Sequence, residues 1–436
     1  MFKKEQIKNF VKNTLKQKKS QWVSYSGDNY DENEYAAAIE TLMDGWLVFG
    51  PKCREFEKTF SDRLGKKFGI FVNSGSSANL LMMAAAKSEN GLGLKNGSKI
   101  ITPAVCFPTT INPILQNGFQ PVFVDVELPN MNLNLDQVED KLKQDSSIKG
   151  ICFAHVAGNP PDMDRIQWLT NKYKVYLFED SCDALGSYYS SKKVGSFGVM
   201  STCSFYPAHH MTTAEGGYVA TDDPKLFRTL NSLRDWGRDC YCNIGKAGCV
   251  TDGTACGNRF QNWLKRFPDL TYDHRYVYRE IGYNLKPIEI QGAFGLEQLK
   301  KLPYMESRRR ENYKKLKSIF SNYDEFIISE ELPNADTCWF CFLVTVKPDS
   351  KFTKADLINH LESDKIQTRP YFAGNILYHP AYNELAEKFS DIHSEFPIAK
   401  IATTSSFFLG TYSGIDDLAI QRIEQSVKNF IAKARK

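Results

Sequence analysis

The chain has 436 residues, enough for one large domain with a sizeable core and a second, smaller domain. Hydrophobic residues make up 42% and charged residues 24%, which argues against a largely disordered chain. Lys and Arg (55) barely exceed Asp and Glu (51), and the net charge of +4 gives no reason to expect a nucleic-acid or anionic-membrane partner.

Residues 1–20 carry spaced apolar side chains among many lysines, which predicts an amphipathic surface helix. The chain contains no apolar run of about 18 residues and begins without a signal-peptide core. We therefore expect a cytoplasmic protein. In that compartment the 11 cysteines are expected to be reduced thiols, metal ligands or redox groups rather than disulfides.

From residue 66 to residue 220, short β-rich segments alternate with helix-like ones. The β-rich segments are KFGIFVNS, SKIITPAV, QPVFVDVE, IKGICFAHV, KVYLFED and MSTCSFY. This alternation predicts an α/β fold with a mostly parallel sheet covered by helices on both faces.

A charged helix is predicted over residues 287–320, with Pro303 ending or kinking it. We place the domain boundary there, with a large domain at 1–300 and a small α+β domain at 301–436. The small domain is expected to contain the strand CWFCFLVTVK, a helix around 353–363 and a final helix.

The segment from Val72 to Asn79 follows a strand and opens a helix. Its small residues, Gly75, Ser76 and Ser77, would let backbone N–H groups approach an anion at the positive end of the helix. A phosphate site is one interpretation of this pattern. A plain helix N-cap is the other.

The segment Leu177-Phe178-Glu179-Asp180 has the pattern of a buried strand that ends in carboxylates. Ligands bind at that edge of open α/β sheets, and a carboxylate there can keep a pyridinium nitrogen protonated. The competing interpretation of Asp180 is a simple helix cap.

A third segment, Ser204-Phe205-Tyr206-Pro207-Ala208-His209-His210, continues to Gly216-Gly217. With the other two segments, in this order, it resembles the DegT/DnrJ/EryC1/StrS sugar aminotransferase family of fold-type-I pyridoxal phosphate enzymes. The resemblance runs from Gly50 to the final helix and includes the segment that starts at His155.

The resemblance implies a role for each matching residue. Asp180 would hold the pyridine nitrogen, Phe107 would stack on the ring, and Asp183 stands where relatives often have a Gln near the ring hydroxyl. The phosphate would be bound by Gly75, Ser76, Ser77, Ser204 and, from the neighbouring subunit of a homodimer, Asn284.

Aminotransferases of this family carry a Schiff-base lysine at the position that His209 occupies here. Because an imidazole forms no stable Schiff base with pyridoxal, the resemblance favours pyridoxamine phosphate (PMP) held without a covalent bond. His209 would then act as a base near neutral pH. The alternatives are His210 as the base, or Lys192 or Lys193 as the active lysine.

A histidine in place of the Schiff-base lysine is also found in the sugar 3-dehydratases of the family. These enzymes remove the C3 hydroxyl of a nucleotide-linked 4-keto-6-deoxyhexose. One kind acts on CDP-4-keto-6-deoxyglucose, on the route to the 3,6-dideoxysugars of lipopolysaccharide, with a 2Fe-2S cluster and an NAD(P)H-dependent flavin reductase. The other acts on GDP-4-keto-6-deoxymannose without a cluster. A catalytically silent relative that binds sugar nucleotide is the non-enzymatic alternative.

The cysteine pattern favours the cluster-bearing kind of dehydratase, which acts on CDP-4-keto-6-deoxyglucose. Cys182, Cys240 and Cys242 resemble the ligands of the cluster-bearing dehydratases, with Cys256 as the fourth and Cys249 as its alternative. A zinc site and unligated thiols remain open as other interpretations. The Cys338-Trp-Phe-Cys341 pair, by contrast, opens an apolar strand and is expected to be core packing. The same is expected of four further cysteines, Cys53, Cys106, Cys152 and Cys203.

Overall fold

The structure is a computed structural model that describes residues 4–14, 21–27, 29–240 and 259–436. A seven-stranded sheet lies at the centre of its larger part. In chain order its strands are β1 Phe68–Val72, β2 Lys99–Pro103, β3 Gln120–Val124, β4 Ile148–Ala154, β5 Tyr176–Asp180, β6 Met200–Ser204 and β7 Gly217–Thr221. The spatial order is β1-β7-β6-β5-β4-β2-β3. Every neighbouring pair is parallel except the two pairs that β7 makes. The predicted α/β fold with a mostly parallel sheet is confirmed.

Helices cover both faces of this sheet. The helices of this part of the chain are α1 Lys4–Thr14, α2 Glu32–Asp44, α3 Pro51–Phe60, α4 Gly75–Lys87, α5 Pro108–Gln116, α6 Leu135–Gln144, α7 Met163–Tyr173 and α8 Pro224–Arg234. Of these, α1 packs on α2 rather than on the sheet. Neighbouring residues of one strand point to opposite faces. Ile100 of β2 therefore packs in the apolar cluster of α4, α5 and α8, whereas Ile101 packs in the cluster of α6 and α7. Burial on both faces explains the nearly continuous apolar runs that predicted these strands.

The C-terminal part contains a four-stranded antiparallel sheet. Its strands are β8 Phe326–Ile328, β9 Cys341–Val346, β10 Arg369–Pro370 and β11 Ser406–Gly410, in the spatial order β8-β9-β11-β10. The helices of this part are α9 Glu289–Phe320, α10 Lys354–Ser363, α11 Asn383–Ala386, α12 Ile392–Glu395, α13 Pro397–Ser405 and α14 Asp417–Ala434. The expected strand, the helix near 353–363 and the final helix are all present.

The described residues also form several two-residue strands. They are Val126–Glu127, Asn132–Leu133, Tyr188–Tyr189, Lys192–Lys193, Phe260–Gln261, Tyr272–Asp273 and Ala335–Asp336. The pair Tyr188–Tyr189 and Lys192–Lys193 forms a hairpin that Ala335–Asp336 extends to three strands.

Helix α9 continues through Pro303, so of the two expected effects of the proline, an end or a kink, an end of the helix is excluded. A proline inside a helix costs about 3 kcal/mol through a lost hydrogen bond and a steric clash. Here the helix packs on α2 and α3 before the proline and on β9 after it, and these contacts offset that cost. The boundary predicted at residues 300 and 301 lies inside this helix, which both parts of the chain share.

The expected amphipathic helix at the N-terminus is α1. Its side chains Ile7 and Val11 are buried in a small cluster with Ala36 of α2, while Phe10 is exposed. Among the described residues, no helix combines the length and the apolar character that crossing a bilayer would need.

Candidate active site at the carboxyl edge of the sheet

A cavity of about 460 Å³ lies where the parallel strands of the central sheet end, the usual ligand position in open α/β sheets. Residues from both parts of the chain line it, among them Gly75, Phe107, Asp180, His209, Phe340 and Arg369. Each large-domain residue is placed by an element end. Gly75 opens α4, Phe107 is the N-cap residue of α5, and Asp180 ends β5. The cavity therefore brings together residues that are far apart in the sequence.

The start of α4, where the sequence predicts a phosphate site, lines the cavity. Ser74 is the N-cap residue, and its hydroxyl accepts a hydrogen bond from the Ser77 N–H at 3.1 Å. Gly75, Ser76 and Ser204 line the cavity. A Cβ atom on Gly75 would lie 2.5 Å from Cβ of Ser204, so only glycine allows this close approach. The helix-cap interpretation is confirmed, with Ser74 as the cap and the Ser77 N–H as its partner. The phosphate site stays a prediction, and the first helical residues face the cavity where it would lie.

Asp180 is nearly buried and held by three hydrogen bonds. Its Oδ2 atom accepts from Nδ2 of Asn79 and from the Thr110 hydroxyl, each at 2.9 Å. Oδ1 accepts from the backbone N–H of Cys182 at 3.2 Å. Asn79 is in turn oriented by the Thr202 hydroxyl, which donates to its Oδ1 atom at 2.6 Å. The carboxylate is fixed at the cavity wall, as the binding of a ring N–H requires.

Asn79 and Thr110 had no assigned role in the sequence analysis. Asn79 closes the segment that predicted the phosphate site, and on α4 it lies one helical turn after Gly75. The spacing alone could have placed it near the site. Thr110 carries no comparable local signal, since its contact with Asp180 joins residues 70 positions apart.

No lysine lines the cavity within the part of the chain that the structure describes. The two alternatives from the sequence lie in the hairpin described above. Lys192 is exposed, with its Nζ atom 4.3 Å from the centre of the Phe197 ring. Lys193 donates to the carbonyl oxygen of Asp62. The geometry therefore favours neither lysine as a group that reacts in this cavity.

His209 faces the cavity, and its Nδ1 atom lies 3.2 Å from Oδ1 of Asp183. The phenyl ring of Phe340 contacts the imidazole, with ring centres 5.4 Å apart. Burial raises the pKa of the Asp183 carboxyl, while the neighbouring His209 and Arg309 act to lower it. Asp183, expected from the sequence to contact the cofactor, thus contacts the His209 ring. With Nδ1 turned toward this carboxyl, Nε2 is the nitrogen left for a ligand.

The alternative base, His210, is in a different environment. It is 1% exposed, and its Nε2 atom lies 2.8 Å from the carbonyl oxygen of Cys338. Burial lowers its pKa well below the ordinary value, which keeps the ring neutral. His210 is therefore better suited to packing than to moving protons in the cavity.

The cavity fits a phosphorylated pyridine cofactor on three observations. A helix start that tolerates no Cβ faces it, a fixed carboxylate lies in its wall, and the 53%-exposed ring of Phe107 offers a stacking surface. These groups match the phosphate, the ring nitrogen and the ring face of such a molecule.

The predicted cluster ligands are only partly within the described residues. Cys182 lines the cavity, and burial raises the pKa of its thiol. Cys240 is half-buried, whereas Cys242, Cys249 and Cys256 lie outside the described residues. In the described part of the chain, no group of three or more His, Cys, Asp or Glu side chains is arranged to hold a metal ion. The six cysteines expected to pack in the core are all buried: Cys53, Cys106, Cys152, Cys203, Cys338 and Cys341.

Asn284, predicted to reach a neighbouring subunit, is exposed and forms an isolated backbone bridge with Asp235. Two apolar side chains near it in sequence are also exposed, Ile281 at 99% and Ile288 at 50%. The backbone N–H of Glu289 donates to the carbonyl oxygen of Leu47, which brings the exposed segment Trp46 to Val48 to the same region.

Comparison with known proteins gives one consistent result. Residues 28–428 match the DegT/DnrJ/EryC1/StrS aminotransferase family. The dTDP-4-dehydro-2,6-dideoxy-D-glucose 3-dehydratase of Saccharopolyspora spinosa is 40% identical, over 94% of this chain and 86% of that protein. The lipopolysaccharide biosynthesis protein RfbH of Salmonella typhimurium is 38% identical, over 92% and 90%. A solved structure of E. coli GDP-4-keto-6-deoxy-D-mannose-3-dehydratase with hydrated PLP has a TM-score of 0.80 and 29% identity, over 93% of this chain and 98% of that one. The chain therefore belongs to the DegT/DnrJ/EryC1/StrS aminotransferase family.

Proposed function

We propose that this protein is a PMP-dependent 3-dehydratase that removes the C3 hydroxyl of a nucleotide-linked 4-keto-6-deoxyhexose. The observation that carries this proposal is the cavity wall. His209 faces the ligand space, and none of the described residues lining that space is a lysine. An imidazole can take up and release protons but cannot anchor a pyridoxal cofactor covalently, so dehydration is favoured over transfer of an amino group.

Each of these cavity residues would contact a different part of the cofactor. Asp180 would accept a hydrogen bond from the protonated ring nitrogen, and Phe107 would cover one ring face. The phosphate would be held by Gly75, Ser76 and Ser204, with Ser77 completing the first turn of α4. When bound, PMP supplies the electron-withdrawing ring that makes loss of a hydroxyl from the neighbouring sugar carbon possible.

His209 would act through Nε2. The Asp183 carboxylate lies 3.2 Å from Nδ1, close enough to attract a proton there, and this would leave the free lone pair on Nε2. Nε2 can therefore take a proton from the reacting carbon and afterwards deliver one to the departing hydroxyl, which leaves as water. Tyr206 and Phe340 line the same cavity beside His209 and limit the access of bulk water.

The substrate class is supported by the relatives, which are named for dTDP-linked and GDP-linked 4-keto sugars. The cysteine pattern favours the CDP-linked sugar that the sequence analysis predicts, CDP-4-dehydro-6-deoxyglucose. Arg369 lines the cavity from the small domain, with its guanidinium 4.2 Å from the centre of the Tyr25 ring. It offers a cation for the diphosphate of any of these nucleotides.

We further propose a 2Fe-2S cluster held by Cys182, Cys240, Cys242 and Cys256. The cluster would pass electrons one at a time from an NAD(P)H-dependent flavin reductase to the dehydrated sugar, which needs two. Support comes from Cys182, which lies in the cavity wall two residues after Asp180, so that a cluster bound there would lie next to the reacting groups.

We also propose that the protein forms a homodimer whose active site is shared between the two subunits. The exposed apolar segment Trp46 to Val48, with Ile281 and Ile288, surrounds the region of Asn284 and would be buried by a second copy.

A direct test of the shared site mixes the His209→Asn variant with the Asn284→Ala variant. If each site takes His209 from one subunit and Asn284 from its partner, mixing two weakly active variants restores activity, because one site of each heterodimer is intact. No gain after subunit exchange contradicts the shared site.

The function is tested by incubating the purified chain with PMP and CDP-, dTDP- and GDP-linked 4-keto-6-deoxyhexoses in ¹⁸O-water. Without a reductase the dehydration is reversible, so we expect the C3 oxygen of one of them to exchange with the ¹⁸O-water, detected by mass spectrometry of sugar fragments. The His209→Asn variant should give no exchange at C3. Amino-sugar formation from glutamate would contradict the proposal, and so would the absence of reaction with all three substrates.

The cluster is tested separately by measuring iron and sulfide on protein purified without oxygen. We expect two of each per chain by the stoichiometry of a 2Fe-2S centre, and their loss in Cys240→Ser. Cys338→Ser is the matched control, since Cys338 is buried and expected to pack only. Iron-free protein with full activity on a GDP-linked sugar would instead favour the cluster-free alternative.

A further inference from the structure

Three phenylalanine rings form an apolar wall of the cavity. They belong to Phe340, Phe372 and Phe408, which all line the cavity from the C-terminal part of the chain. The ring centres of Phe340 and Phe408 lie 6.0 Å apart, and that of Phe372 lies 6.5 Å from the first and 6.3 Å from the second. The three rings therefore form one continuous surface, which carries no atom able to form a conventional hydrogen bond.

This phenylalanine wall lies beside His209. The ring centre of Phe340 is 5.4 Å from that of the imidazole. The buried guanidinium of Arg309 holds the two backbones together, since its Nη2 atom donates to the carbonyl oxygen of His209 at 2.8 Å and its Nη1 atom donates to that of Phe340 at 2.9 Å. A ligand with its reacting carbon at His209 therefore places a neighbouring part of the same molecule against the wall.

Phe372 is held in an unusual backbone conformation. Its φ angle is +47°, in the left-handed region that bulky residues rarely adopt. The turn is fixed on both sides, because the N–H of Ala373 donates to the carbonyl oxygen of Cys106 at 3.4 Å and the N–H of Asn375 donates to the Thr403 hydroxyl at 2.7 Å. Backbone strain of this kind is concentrated at functional sites. An asparagine or a glycine would suit this backbone better, so the phenyl ring itself needs an explanation.

The chemistry of the wall matches a methyl group. In a 4-keto-6-deoxyhexose, the carbonyl carbon C4 lies between C3, which loses its hydroxyl, and C5, which carries the C6 methyl group. With the reacting part of the sugar at His209, this methyl group is the nearest apolar part of the ligand. An apolar wall favours a methyl group and disfavours a hydroxyl, which would lose its hydrogen bonds to water there. A nucleobase could also stack on such rings, but a pentose and a diphosphate separate it from the reacting carbons.

We propose that Phe372, together with Phe340 and Phe408, forms the subsite for the C6 methyl group and selects 6-deoxy sugars over their 6-hydroxy counterparts. The identity of the sugar in this inference rests on the proposed function. The inference adds the residues that recognise the deoxygenated end of the substrate and explains why a strained turn carries a phenyl ring.

The test measures the binding of paired, unreactive ligands to the full chain loaded with PMP, by isothermal titration calorimetry. The members of a pair share their nucleotide and differ only at C6. The pairs are glucose and 6-deoxyglucose linked to CDP or to dTDP, and mannose and 6-deoxymannose linked to GDP. Because C4 carries a hydroxyl in place of the ketone, no reaction follows. With the nucleotide that it binds best, the parent should bind the 6-deoxy member about tenfold more tightly, or more.

Phe372→Asn should lower this preference by about threefold or more, because the ring is lost and the amide offers the C6 hydroxyl a partner. Asparagine tolerates the left-handed backbone, and unchanged binding of pyridoxal phosphate shows that the cavity is intact. Phe372→Leu keeps an apolar side chain and should retain most of the preference. Phe389→Asn is the matched control and should bind as the parent does. Phe389 is also a half-buried phenylalanine of the C-terminal part, but its ring packs with those of Phe123 and Phe396, away from the cavity.

The free nucleoside diphosphates separate recognition of the methyl group from recognition of the base. Phe372→Asn should leave the binding of CDP, dTDP and GDP unchanged. If it weakened them as much as the sugar nucleotides, the wall would serve the base and the proposal would be wrong. A parent that binds no pair, or both members of each pair equally, would overturn it too, and so would equal losses of preference in the Leu and Asn variants. Where Phe372→Asn fails to fold, Phe372→Gly also removes the ring and accepts the positive φ.

Failure of the proposed function gives a different pattern of results. A chain that prefers the 6-deoxy ligands but exchanges no oxygen at C3 of the 4-keto sugars keeps this subsite and loses the assigned reaction. A chain that exchanges the C3 oxygen without any preference at C6 keeps the reaction and loses the subsite.

Discussion

At the scale of single residues, the imidazole of His209 is constrained on three sides. Asp183 lies at Nδ1, the Phe340 ring packs against the ring face, and Arg309 holds the backbone carbonyl. A side chain fixed in this way has little rotamer freedom left to lose when a ligand binds. Such preorganisation is what a general base needs, because proton transfer depends steeply on geometry.

Replacing His209 by lysine should restore a covalent link to the cofactor. His209→Lys puts a primary amine where relatives keep theirs, and such an amine condenses with the aldehyde of pyridoxal phosphate. After borohydride reduction, mass spectrometry should show one cofactor bound per chain, together with loss of dehydratase activity. His210→Lys is the matched control and should give no adduct, because that side chain points to the carbonyl of Cys338. An adduct in the parent protein would contradict the assignment.

The residues with local signals were the ones that the sequence could predict. His209 and Asp180 stand in recognisable segments, and the structure brings both to one cavity. Arg309 and Thr110 could not be assigned roles, because each acts through a contact with a residue 70 or 100 positions away in the chain. Asp183 was assigned to the cofactor by analogy with a glutamine, and the sequence gives no indication that its carboxyl lies against an imidazole.

At the scale of elements, the first turn of α4 depends on the absence of a side chain at Gly75. A Cβ atom there would meet Cβ of Ser204 at 2.5 Å and push apart α4 and the end of β6. Gly75→Ala should weaken binding of pyridoxal phosphate about tenfold or more, since overpacking of this kind costs roughly 1–3 kcal/mol. Equilibrium dialysis measures the affinity. Ser76→Ala, which keeps every backbone N–H, should bind nearly as the parent does, and equal losses in the two variants would contradict the argument.

Strand β5 ends in two carboxylates with different tasks. Asp180 faces the cavity, whereas Glu179 is fully buried, with its Oε2 atom 2.9 Å from Nε2 of His155 and 3.0 Å from the backbone nitrogen of Gly195. These contacts anchor the loop that follows the hairpin to the centre of the sheet.

Glu179 should make the fold sensitive to acid. Burial raises the pKa of this carboxyl, but His155 and the Gly198 N–H outweigh burial and hold the pKa below its ordinary value of 4.5. Its contribution is therefore present above about pH 4.5 and is lost as the pH falls further, by about 1.4 kcal/mol for each unit of pKa difference. Urea unfolding between pH 6 and pH 3 should show a flatter decline in Glu179→Gln than in the parent. In Glu424→Gln, a change on the exposed face of α14, the decline should match the parent. A parent-like decline in Glu179→Gln would refute this role.

For the whole molecule, α9 is the element that both parts share. The alternation of strands and helices was predictable from local patterns, but the continuation of α9 past Pro303 was not. It depends on packing against α2 and α3 on one side of the proline and against β9 on the other. Those contacts are tertiary, and no local pattern encodes them.

The crossing of α9 and α3 should be the most sensitive point of this packing. A Cβ atom on Gly292 would lie 2.5 Å from the backbone nitrogen of Cys53, and backbone cannot move aside as a flexible side chain can. Gly292→Ala should lower the free energy of unfolding by about 1–3 kcal/mol, measured by urea denaturation. Ser307→Ala, an exposed change on the same helix, should leave stability within about 0.5 kcal/mol. Equal stability of the two variants would show that the crossing tolerates a methyl group.

The hydrogen bonds of Arg309 also affect how far the C-terminal sheet can move relative to the central sheet. A hinge motion that moved the C-terminal sheet away from the central one would break the hydrogen bonds of the buried Arg309 guanidinium to the carbonyl oxygens of His209 and Phe340. Such an opening is thereby disfavoured, so a ligand would reach the cavity past exposed side chains at its rim, such as Phe107 and Tyr206.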